Sequence, residues 1–75
     1  MKHKKLWDVL IVETKSRKIE SVAGTDLPES GSFHTVDKRL LTVADRINDN
    51  YFVVAVDAGQ FKKGAVLPND VEKYG

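Results

Sequence analysis

Apolar residues recur at Val36, Leu40, Val43, Ala44 and Ile47, and Phe33 continues the stripe upstream. This spacing predicts one amphipathic helix over roughly Thr35 to Asn48. Thr35 is suited to the N-cap, and Asp37 puts a carboxylate in the first turn, where unpaired backbone N–H groups favour negative charge. Asn48, Asp49 and Asn50 tolerate the left-handed conformation that stops a helix. A helix of this length is marginal alone in water, so its apolar stripe must be covered.

The cover is a sheet. Leu6 to Glu13 is dense in β-branched and aromatic residues and reads as a first strand. Thr14 to Arg17 is a polar turn, and Lys18 to Gly24 forms a weaker second strand, so the two make a hairpin. Thr25 to Ser32 has the punctuation of a loop. After the helix, Asn50 to Asp57 gives the strongest strand signal, and Gln60 to Leu67 returns as a fourth strand closed by Pro68. The expected fold class is α+β: a ββαββ two-layer sandwich, with one helix on a 3-4-stranded antiparallel sheet in the spatial order 2-1-3-4. Strands one and three are the most continuously apolar and belong in the centre; strands two and four carry the charges of edges.

Charges also assign the faces. Side chains alternate along a strand, so Trp7, Val9 and Ile11 point one way, and Leu6, Asp8, Leu10 and Val12 the other. An unpartnered Asp8 beneath the helix would be costly, which turns its face outward. The same argument from Asp57 directs Tyr51, Val53 and Ala55 outward and Phe52, Val54 and Val56 inward. The expected core is Trp7, Val9, Ile11, Phe52, Val54 and Val56 against the helix stripe. One helix covers one face, so Leu6, Leu10, Val12, Tyr51 and Val53 are left as an apolar patch. Patches of this kind mark interfaces. Either a partner protein or a second copy (a homodimer) buries it, or a terminus folds over it.

Seventy-five residues make a single small domain, 1–75, with residues 1–5 as a basic tail and 69–75 frayed. A chain this size buries only about 60% of its unfolded surface. Without cysteine, and with His3 and His34 too few for a metal cluster, self-association is the remaining route to extra stability. The absence of cysteine is compatible with a cytoplasmic location. The basic start and the short apolar run after it are no signal peptide: Asp8 breaks the run and no cleavage site follows. No stretch approaches the roughly 18–20 apolar residues of a membrane span. Twelve Lys and Arg against 11 Asp and Glu give a net charge of +1, and so no global pull toward nucleic acid.

No motif specifies a reaction. Gly59-Gln-Phe-Lys-Lys-Gly64 has the glycine spacing of a phosphate loop, but Ala65 and Val66 stand where Lys and Ser or Thr are required. His34 has acids near it in sequence but no demonstrable pocket, so an enzyme built around it is a remote reading. No catalytic residue, metal ligand or cofactor is expected. Basic residues gather at Lys2, Lys4 and Lys5 and at Lys15, Arg17 and Lys18; brought together, they could meet a phosphate backbone.

The tract from Tyr51 to Leu67, in a cysteine-free strand–helix–strand chain, resembles the short uncharacterised accessory proteins of phage and prophage genomes. The resemblance implies an interaction role, often binding a host protein. The leading expectation is a non-enzymatic interaction protein acting through an exposed sheet face or edge strand. The alternative is a nucleic-acid-binding module using the tail and first hairpin turn.

Overall fold

In the computed structural model, residues 5–31 and 34–75 are described; Lys2, His3, Lys4 and Phe33 lie outside them. Strand β1 (Leu6–Glu13) pairs with β2 (Ile19–Pro28) on one side and β3 (Tyr51–Asp57) on the other, both antiparallel, in the order β2-β1-β3. Helix α1 (Val36–Ala44) packs on one face. The protein is therefore a small α+β fold with one helix on a three-stranded antiparallel sheet.

The strongest sequence signals lie where the strands are. β1 and β3 match their expected ranges to within a residue because they are the densest in Val, Ile and aromatic residues. Thr35 sits at the N-cap with extended backbone and Asp37 in the first turn, although the Thr35 side chain makes no capping hydrogen bond. The helix stops at Ala44, earlier than its periodicity suggests, and leaves Ala44 exposed rather than in the core. β2 extends through the expected loop to Pro28. It does so with register breaks opposite Trp7/Val9, Val9/Leu10 and Ile11/Val12, the irregularities by which an exposed edge avoids pairing with another chain.

The fourth strand is corrected in both form and place. Residues 60–67 form no strand of the sheet and, apart from the turn bond from Gln60 to Asp57, their backbone bonds to the start of β2 rather than to β3. Ile19 donates to the Ala65 carbonyl (2.8 Å), Gly64 to Ile19 (2.8 Å) and Leu67 to Arg17 (2.8 Å). To get there from β3, the chain crosses beneath the sheet on the face opposite α1. This strap seats Phe61, Ala65, Leu67 and Val71 against Leu10, Val12, Ile19, Val54 and Val56. The expected fraying of 69–75 is also overturned. The chain returns to the outer edge of β3, where Tyr74 donates to the Ala55 carbonyl (2.9 Å) and Lys73 bridges Val56.

The domain thus has a core on each face of the sheet. On the helix side, Trp7, Val9, Leu27, Val36, Val43 and Ala55 are buried, with Ile11, Leu40, Ile47 and Val53 partly so. The face assignment of β1 holds and that of β3 is inverted. The register pairs Val9 with Ala55 and Leu10 with Val54, and residues opposite one another in a sheet share a face. Asp57 therefore lies on the helix side. It is tolerated there because it ends its strand half-exposed and pairs with Lys5 (2.9 Å). Asp8 does face away from the helix, but it is buried. One carboxylate oxygen accepts the Asp26 N–H (3.0 Å) and the other the Gly59 N–H (2.8 Å). Gly59 has φ +79°, a backbone that glycine adopts without strain.

A clasp closes the far end. Lys5 bonds Glu72 (2.6 Å) as well as Asp57, and its ammonium sits 4.4 Å above the Trp7 ring. Those two carboxylates, Glu72 first, raise the Lys5 pKa above its usual value. The Tyr74 ring meets Trp7 edge-on, centroids 5.4 Å apart. Tyr74→Ala is expected to lower stability by about 1–2 kcal/mol, from the ring contact and part of its buried area. It should also shift the emission of Trp7, the single tryptophan, to the red as water reaches the indole. Urea titration followed by that emission tests the clasp; an unchanged spectrum and midpoint would remove it.

Candidate functional site

A nine-residue helix is about 13 Å long, whereas eight residues of β1 span about 26 Å. The helix consequently covers only part of the sheet face it packs on. Trp7 and Val9 are buried beneath it or the clasp, but Ile11, next on the same face, stays half-exposed. The uncovered end is a cleft of about 550 Å³. Ile11 and Ala23 form its floor, Val43 and Ile47 its apolar side, and Lys38, Arg39, Thr42 and Arg46 its polar wall, with His34 at the margin.

The wall follows from helical spacing. Lys38, Thr42 and Arg46 recur every four residues along one side of α1 and its C-terminal turn, directly beside the apolar stripe. The Thr42 hydroxyl donates to the Lys38 carbonyl (2.9 Å). Arg39 Nη1 donates to the Ala23 carbonyl (2.6 Å), fastening the helix to β2. The approach is close at Gly24, where a Cβ would come within 2.8 Å of Leu27 Cδ1 and 3.3 Å of Arg39 Cγ. Lys38 and His34 have interactions of their own. Arg46 is exposed and, among the described residues, its side chain has no hydrogen-bond or ion-pair partner.

No carboxylate is among the described residues lining the cleft. Two acids adjoin lining residues in sequence, Asp37 before Lys38 and Asp45 before Arg46, and both are exposed; Asp37 lies on the first turn of the helix. The Asp37 pKa is lowered, foremost by the Thr35 hydroxyl and then by the backbone N–H groups of Lys38 and Asp37 and the Lys38 charge. The cleft is thus apolar below and cationic along one side. That combination suits a partner with an apolar group beside negative charge.

The residues singled out from sequence do not converge. Of the expected patch, Leu10 and Val12 are fully buried under the strap and Val53 faces α1; Leu6 stays exposed, and Tyr51 is half-buried beside a smaller, polar cleft of about 300 Å³ with Glu13, Lys15 and Asp49. The patch is absent because the chain covers both sheet faces itself. The basic set is divided too. Lys2 and Lys4 lie outside the described residues, Lys5 is held in the clasp, and Lys15 and Lys18 are exposed. Arg17, at φ 61°, turns inward: Nε donates to the Leu67 carbonyl (3.0 Å) and Nη2 to that of Pro68 (3.3 Å), with the guanidinium 5.6 Å from the Phe52 ring centre.

In the loop with phosphate-loop spacing, the Gly59 and Gly64 N–H groups are committed to Asp8 and Ile19. Among the described residues, no three of His, Asp and Glu come together as a metal site would require, and no helix is long and apolar enough to cross a membrane. The residues that sequence reasoning missed are Lys38, Arg39, Thr42 and Arg46; the four-residue rhythm of Lys38, Thr42 and Arg46 was the available signal. Compared with protein-family models, curated proteins and solved structures, the chain matches none.

Proposed function

We propose that this chain is a non-enzymatic interaction module that seats a partner protein in the cleft between α1 and the uncovered end of the sheet. The observation that carries this reading is half-buried Ile11, a central-strand side chain left open on the helix side beside an unpaired cation, Arg46. A small domain gains stability by covering such a side chain, and the segment after β3 lies elsewhere, on the far face and the β3 edge. The lining supplies cations, a hydroxyl and an imidazole around an apolar floor, which fits recognition better than group transfer. The three register breaks in β2 favour contact through side chains over addition of a strand to that edge.

Photo-cross-linking tests the reading. A photoreactive phenylalanine analogue in place of Thr42, inside the cleft, is expected to capture a discrete protein partner in the cell that makes the chain. The same analogue in place of Lys63, on an exposed turn across the molecule, should not. Equal capture from both positions, or none from Thr42, would contradict it.

A further inference from the structure

Resting on that reading, we infer that the occupant of the cleft is a short acidic protein segment whose exposed apolar side chain drops onto Ile11, Ala23 and Ile47 while its flanking carboxylates meet Arg46 and the Lys38 side of α1. Charge complementarity selects the acid: the cleft wall carries Lys38, Arg39 and Arg46, and no described lining residue is acidic. The apolar floor selects the side chain between the carboxylates, since a purely anionic ligand would leave Ile11 and Ile47 in water. About 550 Å³ holds one or two such side chains, and the open mouth lets the rest of the segment continue past.

The competing occupants fit less well. No Phe, Tyr or Trp is among the described residues lining the cleft, and a single-stranded nucleic acid stacked on the His34 or arginine side chains would leave the apolar floor of Ile11 and Ile47 unfilled. A second copy of this chain offers acid–apolar–acid runs at Asp26-Leu27-Pro28-Glu29 and Asp70-Val71-Glu72. Their apolar members are already used, with Leu27 buried in the helix-side core and Val71 packed under the sheet.

The test is fluorescence polarisation of the full chain with three labelled probes: an acidic peptide of alternating Glu, Asp and Leu, the same peptide with Ser for Leu, and oligothymidylate. The acidic Leu peptide is expected to bind saturably and more weakly as salt rises. The Ser peptide should bind at least about tenfold more weakly, because each apolar side chain withdrawn from water contributes about 1.5–3 kcal/mol at most. Arg46→Glu should weaken the Leu peptide by about tenfold through charge reversal at a partly desolvated rim. Ile47→Ser, which takes an apolar side chain out of the cleft, should weaken the Leu peptide by about tenfold and leave the Ser peptide unchanged. Trp7 lies in the clasp, away from the cleft, so its unchanged emission certifies the fold of Arg46→Glu.

Equal binding of the Ser peptide, preferential binding of oligothymidylate, or no saturable binding of the Leu peptide would each overturn the inference. The two readings fail separately. Cross-links from Thr42 without peptide binding overturn only the acidic assignment, whereas loss of both removes the cleft as an interface.

Discussion

Leu10→Lys is expected to yield no folded protein. Leu10 is fully buried between β1's neighbours and the strap, in the cluster with Val12, Val54, Val56 and Leu67. The carboxylate on the same face of β1 is that of Asp8, whose two oxygens already accept backbone N–H groups from Asp26 and Gly59. Uncompensated burial of a charge costs several kcal/mol, and a domain of this size has roughly 4–11 kcal/mol in total, at about 0.05–0.15 per residue. Circular dichroism and Trp7 emission would show an unfolded or aggregated chain. The substitution also separates two pictures of the sheet. On an open face that mediates assembly, it would give a folded monomer. That result would mean the strap does not lie where it is described.

Leu67→Ala addresses the strap directly. Leu67 is 1% exposed, its N–H donates to Arg17, and its carbonyl accepts Arg17 Nε. Truncating a buried leucine costs about 2–5 kcal/mol, the spread depending on how far the site collapses. Here collapse is limited by the hydrogen bonds that hold the segment's backbone to β2, so the upper half of that range is expected. Urea denaturation measures the loss. Amide exchange should locate it: exchange in 61–71 accelerates more than in β1 or β3, because the strap loses an anchor while the sheet keeps its ladders. Uniform acceleration would show that strap and sheet open only together.

Strands β1 and β3, the N-cap and the helix stripe were legible in the sequence because each rests on a local signal. β1 and β3 concentrate β-branched residues, and Val36, Leu40, Val43 and Ile47 keep helical spacing whatever covers them. The second core was not legible. Its lower layer comes from Phe61, Ala65, Leu67 and Val71, whose even spacing reads as one face of a strand beside β3, and nothing local says that the segment crosses the far face of the sheet instead. The inverted face of β3 has a similar origin. Asp57 argues for an outward face only if nothing neutralises it, and its partner, Lys5, stands at the other end of the chain. The cleft was missed for a third reason. It exists because α1 ends at Ala44, and the apolar stripe runs on to Ile47 without marking that stop.

The strap also determines when this molecule can fold. Lys5 and Glu72, 67 positions apart, close the clasp, and Arg17 waits for Leu67 and Pro68. Contacts so distant in sequence require large loops to close before they return any energy, which slows folding relative to a helical protein of the same length. During synthesis, the β1–β2 hairpin, α1 and β3 can be complete while Leu10, Val12, Val54 and Val56 still have nothing to pack against. Until residues 61–71 have emerged, the nascent sheet presents a row of aliphatic side chains to its surroundings. In that interval a chaperone, or another unfinished copy, competes with the strap for the same surface.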